Sequence, residues 1–373
     1  MNTNNYNTLN RVINRLQSIE ASALNTGWED IIVMEGAVHR ETTRDNPDTC
    51  TEQSLKSWIS LWMTTHLNEP IRFEQKYLGS YLLTGNKHTG VYLYDYCGHW
   101  GYIIPALLTY FHAPKPTSDS LKPILDTHVQ TLSNHIMEKA VRRGNGIIVH
   151  GGFSYSAWVD TLYYTAYPLA LMYKYSGDKT LADESIRQCL LHAQYLRDPS
   201  TGVFFHDAEI PQGKRTANYW ARGNGWIIQS LAEVLTHLPN DMDGMDEVRK
   251  IYLQLVEGLL RLRHSTGLWR IIPEDERSHL ETSGSLMIAG GIARGIRLGL
   301  LEDYLTPNVL ASYHELLTWI DNDGRIMGSE QPAGRGGWEQ HKLVPLGEST
   351  YTTGFFLKLH SELLKLNAIP MEM

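Results

Sequence analysis

The sequence predicts an all-α fold, a ring of six helical hairpins whose inner helices enclose a cavity and whose rim loops carry a few short strands. Three observations lead there. Apolar residues recur at helical spacing in one segment after another. Successive periodic segments are joined by connections short enough to make them antiparallel neighbours. Corresponding points of successive pairs lie roughly 60 residues apart, beyond the ~20 to 50 of open solenoid repeats. About six such units fill 373 residues. Stacked pairs that did not close would make an open superhelix, so closure into one domain over residues 1–373 is the expectation.

Taken in order, Asn10 to Ile19 sets Val12, Ile13, Leu16 and Ile19 on one face, a short amphipathic helix. Glu20 to Asp48 loses that period, is punctuated by Gly27, Gly36 and Pro47, and reads as a loop that could act as a lid. Leu55, Trp58, Ile59, Trp62 and Met63 mark a second helix, and Tyr77 to Leu83 a third, ended by Thr84, Gly85 and Asn86. From Val91 to Phe111 the chain runs through aromatic residues and Asp95 to a Gly98–Gly101 turn, then an apolar helix begins near Tyr102. Leu121 to Val141 is a long amphipathic helix, followed by a turn over Arg142 to Gly146.

The stretch from His150 to Asp178 repeats the arrangement around Asp95: glycine and aromatics, an aspartate, then a helix. Here the aspartate is Asp160, with Leu162, Ala166, Leu169 and Met172 at helical spacing behind it. Gly177 and Asp178 link directly to a partner helix with Leu181, Ile186, Leu190 and Ala193 inward, the first clear hairpin. GVFFHD at 202–207 is a short extended piece, YWARGNGW at Tyr219–Trp226 opens a helix over Ile227 to Leu235, and Val248 to Leu262 completes a second hairpin. GLWRII at 267–272 echoes GVFFHD in position. Ser283 to Leu301 is a helix whose glycines permit close packing, and Leu310 to Ile320 answers it. Gly324 to Glu348 reads as loop and Tyr351 to Leu366 as the last helix.

Composition narrows the function. Hydrophobic residues at 42% and charged residues at 20% describe a globular protein, and a net charge of -8 argues against a general nucleic-acid binder. An anionic ligand would therefore need local cations. The start, MNTNNYNTLNRVINRLQ, has no apolar core of signal length and no run approaches a membrane span, so a cytoplasmic enzyme, or a chain shorn of its leader, is expected. Cys50, Cys97 and Cys189 are far apart and without CxxC pairing, which suggests buried small hydrophobes and neither disulfides nor zinc. There is no GxxxxGK[ST], HExxH, GxSxG or strand-to-helix GxGxxG. No metal or cofactor is expected.

What remains is two aspartates at loop-to-helix junctions, among aromatics, histidines and one arginine. Asp160 can be read as a helix cap, or as an acid whose aromatic neighbours exclude water and raise its pKa. Trp220, Arg222 and Trp226 lie within seven residues around Gly223 and Gly225. Arg222 can make a forked contact with a carboxylate and the indoles can face sugar rings; equally, Arg222 can be a buried ion-pair partner and the indoles core.

Five of these strings, WVDTLYYTAYPLALMYKYSGD, GVFFHD, YWARGNGW, GLWRII and ETSGSLMIAGGIARGIRLGLL, follow one another in an order and spacing that resembles glycoside hydrolase family 105, the unsaturated rhamnogalacturonyl hydrolases, and the related family 88, the unsaturated glucuronyl hydrolases. The resemblance covers roughly Asp95 to the C-terminus. It implies an (α/α)6 barrel that removes the 4,5-unsaturated uronic acid left at the non-reducing end of oligosaccharides by polysaccharide lyases. Carried onto this sequence, it implies Asp160 as general acid and base, Asp95 as second carboxylate, and His206, Trp220, Arg222 and Trp226 as substrate contacts, with Trp158 and His150 beside the sugar. The implied reaction protonates C4 of the vinyl ether, adds water at C5 and opens the resulting hemiketal, so the carboxylate-separation rule of other glycosidases does not apply. The alternatives are another enzyme on the same ring, a saturated β-glucuronidase or a sugar epimerase using His150 and His206, and a binding protein without catalysis.

Overall fold

Two kinds of sequence make two kinds of helix: segments with one apolar stripe, and segments apolar nearly all round. The structure is a computed structural model and describes residues 3–24, 26–43, 55–68, 71–73, 92–93, 97–151, 155–331 and 338–370. In chain order its helices are α1 (Thr3–Gln17), α2 (Trp28–Glu41), α3 (Lys56–Leu67), α4 (Ile103–His112), α5 (Lys115–Glu138), α6 (Val159–Ser176), α7 (Lys179–Leu196), α8 (Ala221–His237), α9 (Met245–Arg261), α10 (Thr282–Arg297), α11 (Thr306–Leu317), the single turn α12 (Trp338–His341) and α13 (Thr350–Lys365). Helices α2, α4, α6, α8, α10 and α13 each pack on the next, and α13 returns to α2. That closes the inner ring. Behind it α3 packs on α2, α5 on α4, α7 on α6, α9 on α8 and α11 on α10. The expected ring of outer and inner helices is thus present.

Burial separates the two rings. In α8 every residue from Ala221 to Leu235 is buried, whereas α9 buries Val248, Ile251, Tyr252, Leu255 and Leu259 along one stripe. The predicted hairpins α6–α7 and α8–α9 are seen, with Gly177 at φ 75 ending α6 in the left-handed conformation that favours glycine. Of the short strands expected, GLWRII forms one over Trp269–Arg270, whereas GVFFHD makes single bridges at Phe204 and Phe205 and its strand starts only at Asp207. Ser156–Trp158 pairs with Asp207–Glu209 and leads directly into α6, and Leu280–Glu281 pairs with Trp269–Arg270 and leads into α10. The connection before α13, read from the sequence as loop, also contains a two-strand pairing of Ser329–Glu330 with Leu346–Gly347 and the turn α12.

One element was misread. Within Glu20 to Asp48, the chain forms helix α2, an inner helix rather than a loop or lid. Its residues Ile31 to Arg40 are all buried, so no polar face alternates with an apolar one and the helical period is invisible. Gly36 is the seat of this helix, not a punctuation mark: a Cβ there would fall 2.3 Å from the carbonyl oxygen of Gly354 on α13. The helix expected over Tyr77 to Leu83, Cys50 and Asp95 all lie outside the described residues. Cys97 and Cys189 are buried and free, as expected.

Deep between the inner helices, charges pair with one another. The Lys358 ammonium of α13 lies 2.5 Å from Glu35 of α2 and 3.4 Å from Glu233 of α8. Arg294 of α10 reaches Glu233 at 2.5 Å and Glu362 of α13 at 3.0 Å. Tyr163 donates to Glu35 as well. Burial pushes Glu35 and Glu233 up, but the neighbouring cations outweigh it and hold both below the usual carboxylate range. Glu35, His39 and Glu233 are near enough to hold a cation, and the Lys358 ammonium already bridges the two carboxylates. Lys358→Met would strand both acids without their shared counter-charge. At neutral pH we expect a loss on the order of 3–5 kcal/mol in denaturant unfolding. An unchanged midpoint would show that the two acids do not depend on this lysine.

Candidate active site

The first turns of the inner helices meet at one rim, and Arg222 in the first turn of α8 stands among them. Its charge acts on Glu29 at the start of α2, on Asp160 in the first turn of α6 and on Glu281 at the start of α10, while Nη1 donates to the Tyr351 hydroxyl of α13 at 3.0 Å. Glycine makes the approach possible: a Cβ on Gly284 of α10 would lie 2.6 Å from the Arg222 backbone nitrogen, and one on Gly223 would lie 2.8 Å from Val159 of α6. Gly223 and Gly225 therefore serve helix contact, not the close approach of a ligand to backbone; a Cβ on Gly225 would meet Met287.

Asp160 occupies the first turn of α6 but does not cap it. The cap position belongs to Trp158, without a side-chain cap bond. Oδ2 of Asp160 is enclosed and has no hydrogen-bond partner among the described residues. Burial pushes its pKa up to about 7; Arg222 pulls it down, and the charges of Asp207 and Glu330 push it further up. One turn along, on the same face, the Tyr164 hydroxyl is also enclosed and without a partner among the described residues. Tyr163, by contrast, turns to Glu35.

A run of rings forms one wall. His150 stacks on Trp158 at 4.3 Å and 5°, Trp158 meets His206 edge-on at 5.2 Å, His206 lies 4.3 Å from Trp220, and Trp220 lies 5.4 Å from His341. His150 is behind this wall. Its Nδ1 is 3.0 Å from the Thr161 hydroxyl, and burial holds its pKa down at about 3, so it stacks on Trp158 as a neutral ring. Trp226 is not part of the wall. It lies between α2, α6 and α13, with Trp28, Tyr163, Tyr164 and Phe355 within 6.0 Å, and its Nε1 has no partner among the described residues.

Arg222 combines both readings the sequence allowed. Nη1 donates to the Glu330 carbonyl at 2.5 Å and Nη2 to the Gln331 carbonyl at 3.3 Å, the guanidinium lies over Trp220 at 4.5 Å, and Glu330 Oε2 is 3.4 Å away. Much of its fork is thus committed within the protein. It contributes a buried positive charge beside Asp160 and does not offer a complete bidentate clamp to a ligand.

Of the residues that the resemblance implies, the structure brings Asp160, Trp158, His206, Trp220 and Arg222 together, sets His150 against Trp158, and places Trp226 among Trp28, Tyr163, Tyr164 and Phe355. It adds Trp28 and Glu29, hidden with α2 in the supposed loop; Asp207, which pairs with Trp158 across the rim sheet; and Glu330 and His341 from the connection before α13. Asp207 had a visible signal, being the last residue of GVFFHD. Among the described residues, the like charges that raise the pKa of Asp160 are those of Asp207 and Glu330.

An enclosed acid of raised pKa in the first turn of an inner helix of a closed helical ring marks a helical-barrel protein with a candidate active site at that rim. The chain belongs to Glycosyl Hydrolase Family 88, whose model matches residues 55–367. It is 28% identical over 222 residues to an unsaturated 3S-rhamnoglycuronyl hydrolase of Alteromonas sp., covering 56% of this chain and 51% of that protein. It is 27% identical over 211 residues to the unsaturated rhamnogalacturonyl hydrolase YesR of Bacillus subtilis, covering 54% of this chain and 60% of that protein. The match thus spans little more than half the length of these relatives. A structure from Klebsiella pneumoniae described as a possible member of family GH105 superposes with TM-score 0.75 at 19% identity, covering 92% of this chain and 84% of that one. A family 105 glycoside hydrolase of C. acetobutylicum gives 0.74 at 21% identity, covering 96% and 98%. These share the fold expected from the resemblance to family 105. No helix among the described residues is long and apolar enough to cross a membrane.

The raised pKa of Asp160 also makes a stability statement. Its folded pKa of about 7 lies above the ordinary value of 3.8, so the folded chain keeps a proton that the unfolded chain releases, and stability falls as pH climbs through that window. Asp160→Asn removes the enclosed charge. Its melting temperature should exceed that of the unsubstituted protein at about pH 8 and equal it at about pH 4. The same difference at both pH values would place the carboxyl in water.

Proposed function

We propose that this protein releases the terminal 4,5-unsaturated uronic acid from lyase-generated oligosaccharides by hydrating its C4=C5 double bond. The observation that carries this is Asp160: one enclosed carboxyl with a pKa of about 7, able both to hold and to accept a proton near neutrality. Protonated Asp160 gives its hydrogen to C4, and the resulting cation at C5 is stabilised by the ring oxygen. Water attacks C5 and returns a proton to the Asp160 carboxylate, which restores the acid. The hydroxyl now on C5 makes a hemiketal that opens and frees the remaining sugar chain. Trp158, His206 and Trp220 give the sugar flat surfaces and exclude bulk water. Arg222 supplies positive charge for the uronate carboxylate without full neutralisation of Asp160.

The names of the curated relatives support the same reading, and both include rhamnose beside the uronate. A unit with rhamnose next to the unsaturated sugar is accordingly the substrate to try first. The epimerase alternative needs His150 and His206 as a working pair, and His150 is a neutral ring stacked behind Trp158. A saturated glucuronide has no vinyl ether for Asp160 to protonate.

The conjugated double bond absorbs ultraviolet light and its hydration abolishes that absorbance. Purified protein should erase the absorbance of rhamnose-containing lyase products, with kcat/KM falling above pH about 7 as Asp160 loses its proton. Asp160→Asn should lower kcat by ~10²-fold or more with the fold intact. Persistent absorbance across a panel of lyase products, or full activity in that variant, would overturn the assignment.

A further inference from the structure

The connection between α11 and α13 delivers two buried residues to the wall that the proposed reaction has not used. Glu330, fully buried, accepts from the Trp220 indole N–H at 2.7 Å through Oε2 and from Nδ1 of His341 at 2.6 Å through Oε1. Burial alone would push Glu330 up, but Arg222, His341 and Trp220 outweigh it and keep its carboxyl below the usual range. A carboxylate only accepts, so Nδ1 of His341 carries the hydrogen, and the geometry of imidazole turns Nε2 away from Glu330. Wherever it carries no second hydrogen, Nε2 is an acceptor. It is buried, with His341 only 2% exposed, and has no hydrogen-bond partner among the described residues. The ring stands 5.4 Å from Trp220 and 5.9 Å from His206, at the end of the aromatic wall over Asp160.

A buried acceptor left unpaired is destabilising unless something supplies the missing donor. We propose that His341 is a substrate-binding residue: its Nε2 accepts a hydrogen bond from a hydroxyl of the sugar bound against Trp220, and Glu330 fixes the tautomer that makes it an acceptor. The arrangement of carboxylate, Nδ1–H and outward Nε2 is how a histidine is oriented for a defined hydrogen bond. It also explains why Glu330 is tied at once to Trp220, Arg222 and His341: one carboxylate sets the position of a sugar platform, a cation and a hydroxyl acceptor. A site built this way discriminates against a ligand that presents no hydroxyl there, because Nε2 would stay unpaired.

The inference rests on the proposed uronide hydrolysis, and its test separates the two. The chain is prepared as Asp160→Asn, so that it binds without turnover, and binding of a rhamnose-containing lyase product is followed by calorimetry. Into this background go His341→Asn, whose amide keeps the contact with Glu330 and loses the Nε2 position, and His341→Gln, whose amide reaches that position and gives up Nδ1. A hydrogen bond from Nε2 to the sugar requires that Asn weaken binding about tenfold while Gln stays within a few-fold of the parent. With Asp160 restored, the Asn loss should appear in KM more than in kcat. The reverse order, Gln weaker than Asn, or equal affinity in all three, would reduce His341 to a prop for Glu330 and overturn the inference while leaving the reaction standing. Absence of binding by the Asp160→Asn parent would overturn both.

Discussion

One buried cation at the rim organises this molecule. Arg222 lies in the first turn of α8, and the starts of α2, α6, α10 and α13 all present a carboxyl or hydroxyl within its field. The N-terminal ends of these inner helices therefore converge on Arg222, and each end carries the partial positive charge of its unsatisfied N–H groups. For a chain of net charge -8 this is where an anion can be held.

The balance at Asp160 follows from that convergence. Arg222 and the helix end favour its ionised form, while enclosure and the charges of Asp207 and Glu330 oppose it. Burial wins, and the carboxyl comes to rest near neutrality. A stronger ion pair would leave a permanently charged aspartate that could not protonate carbon. Glu330 prevents this by taking much of the Arg222 fork for its own backbone and side chain. The ion pair that competes with the site for Arg222 thus preserves the acid.

Legibility in the sequence tracked how one-sided each segment is. Outer helices such as α9 declare themselves because one stripe is apolar, and hairpin links such as Gly177–Asp178 because they are short. Helix α2 stayed hidden for the opposite reason, buried on every side and carrying Glu35, His39 and Arg40 inside the ring. Its charged residues look like a loop until Lys358, more than three hundred positions away, is seen to neutralise Glu35. In the site, Asp160 and the WARGNGW run were readable from local pattern and resemblance. Glu330 and His341 were not: they sit in a stretch without period, and their role exists only through contacts with Trp220 and Arg222 over a hundred residues earlier.

The buried polar atoms of the ring fall into two groups, one near the first turns of the inner helices and one further along them. Near the rim, Asp160 Oδ2, Tyr164 and Trp226 Nε1 are enclosed without partners among the described residues, an arrangement that destabilises the unliganded fold. Deeper, the acids are matched by cations: Lys358 joins Glu35 to Glu233, and Arg294 joins Glu233 to Glu362. Those pairs tie α2, α8, α10 and α13 together across the ring, where the helices meet edge to edge and a single unpaired charge would force them apart. The inner helices thus join their first turns around Arg222 and their later turns through the ion pairs of Lys358 and Arg294.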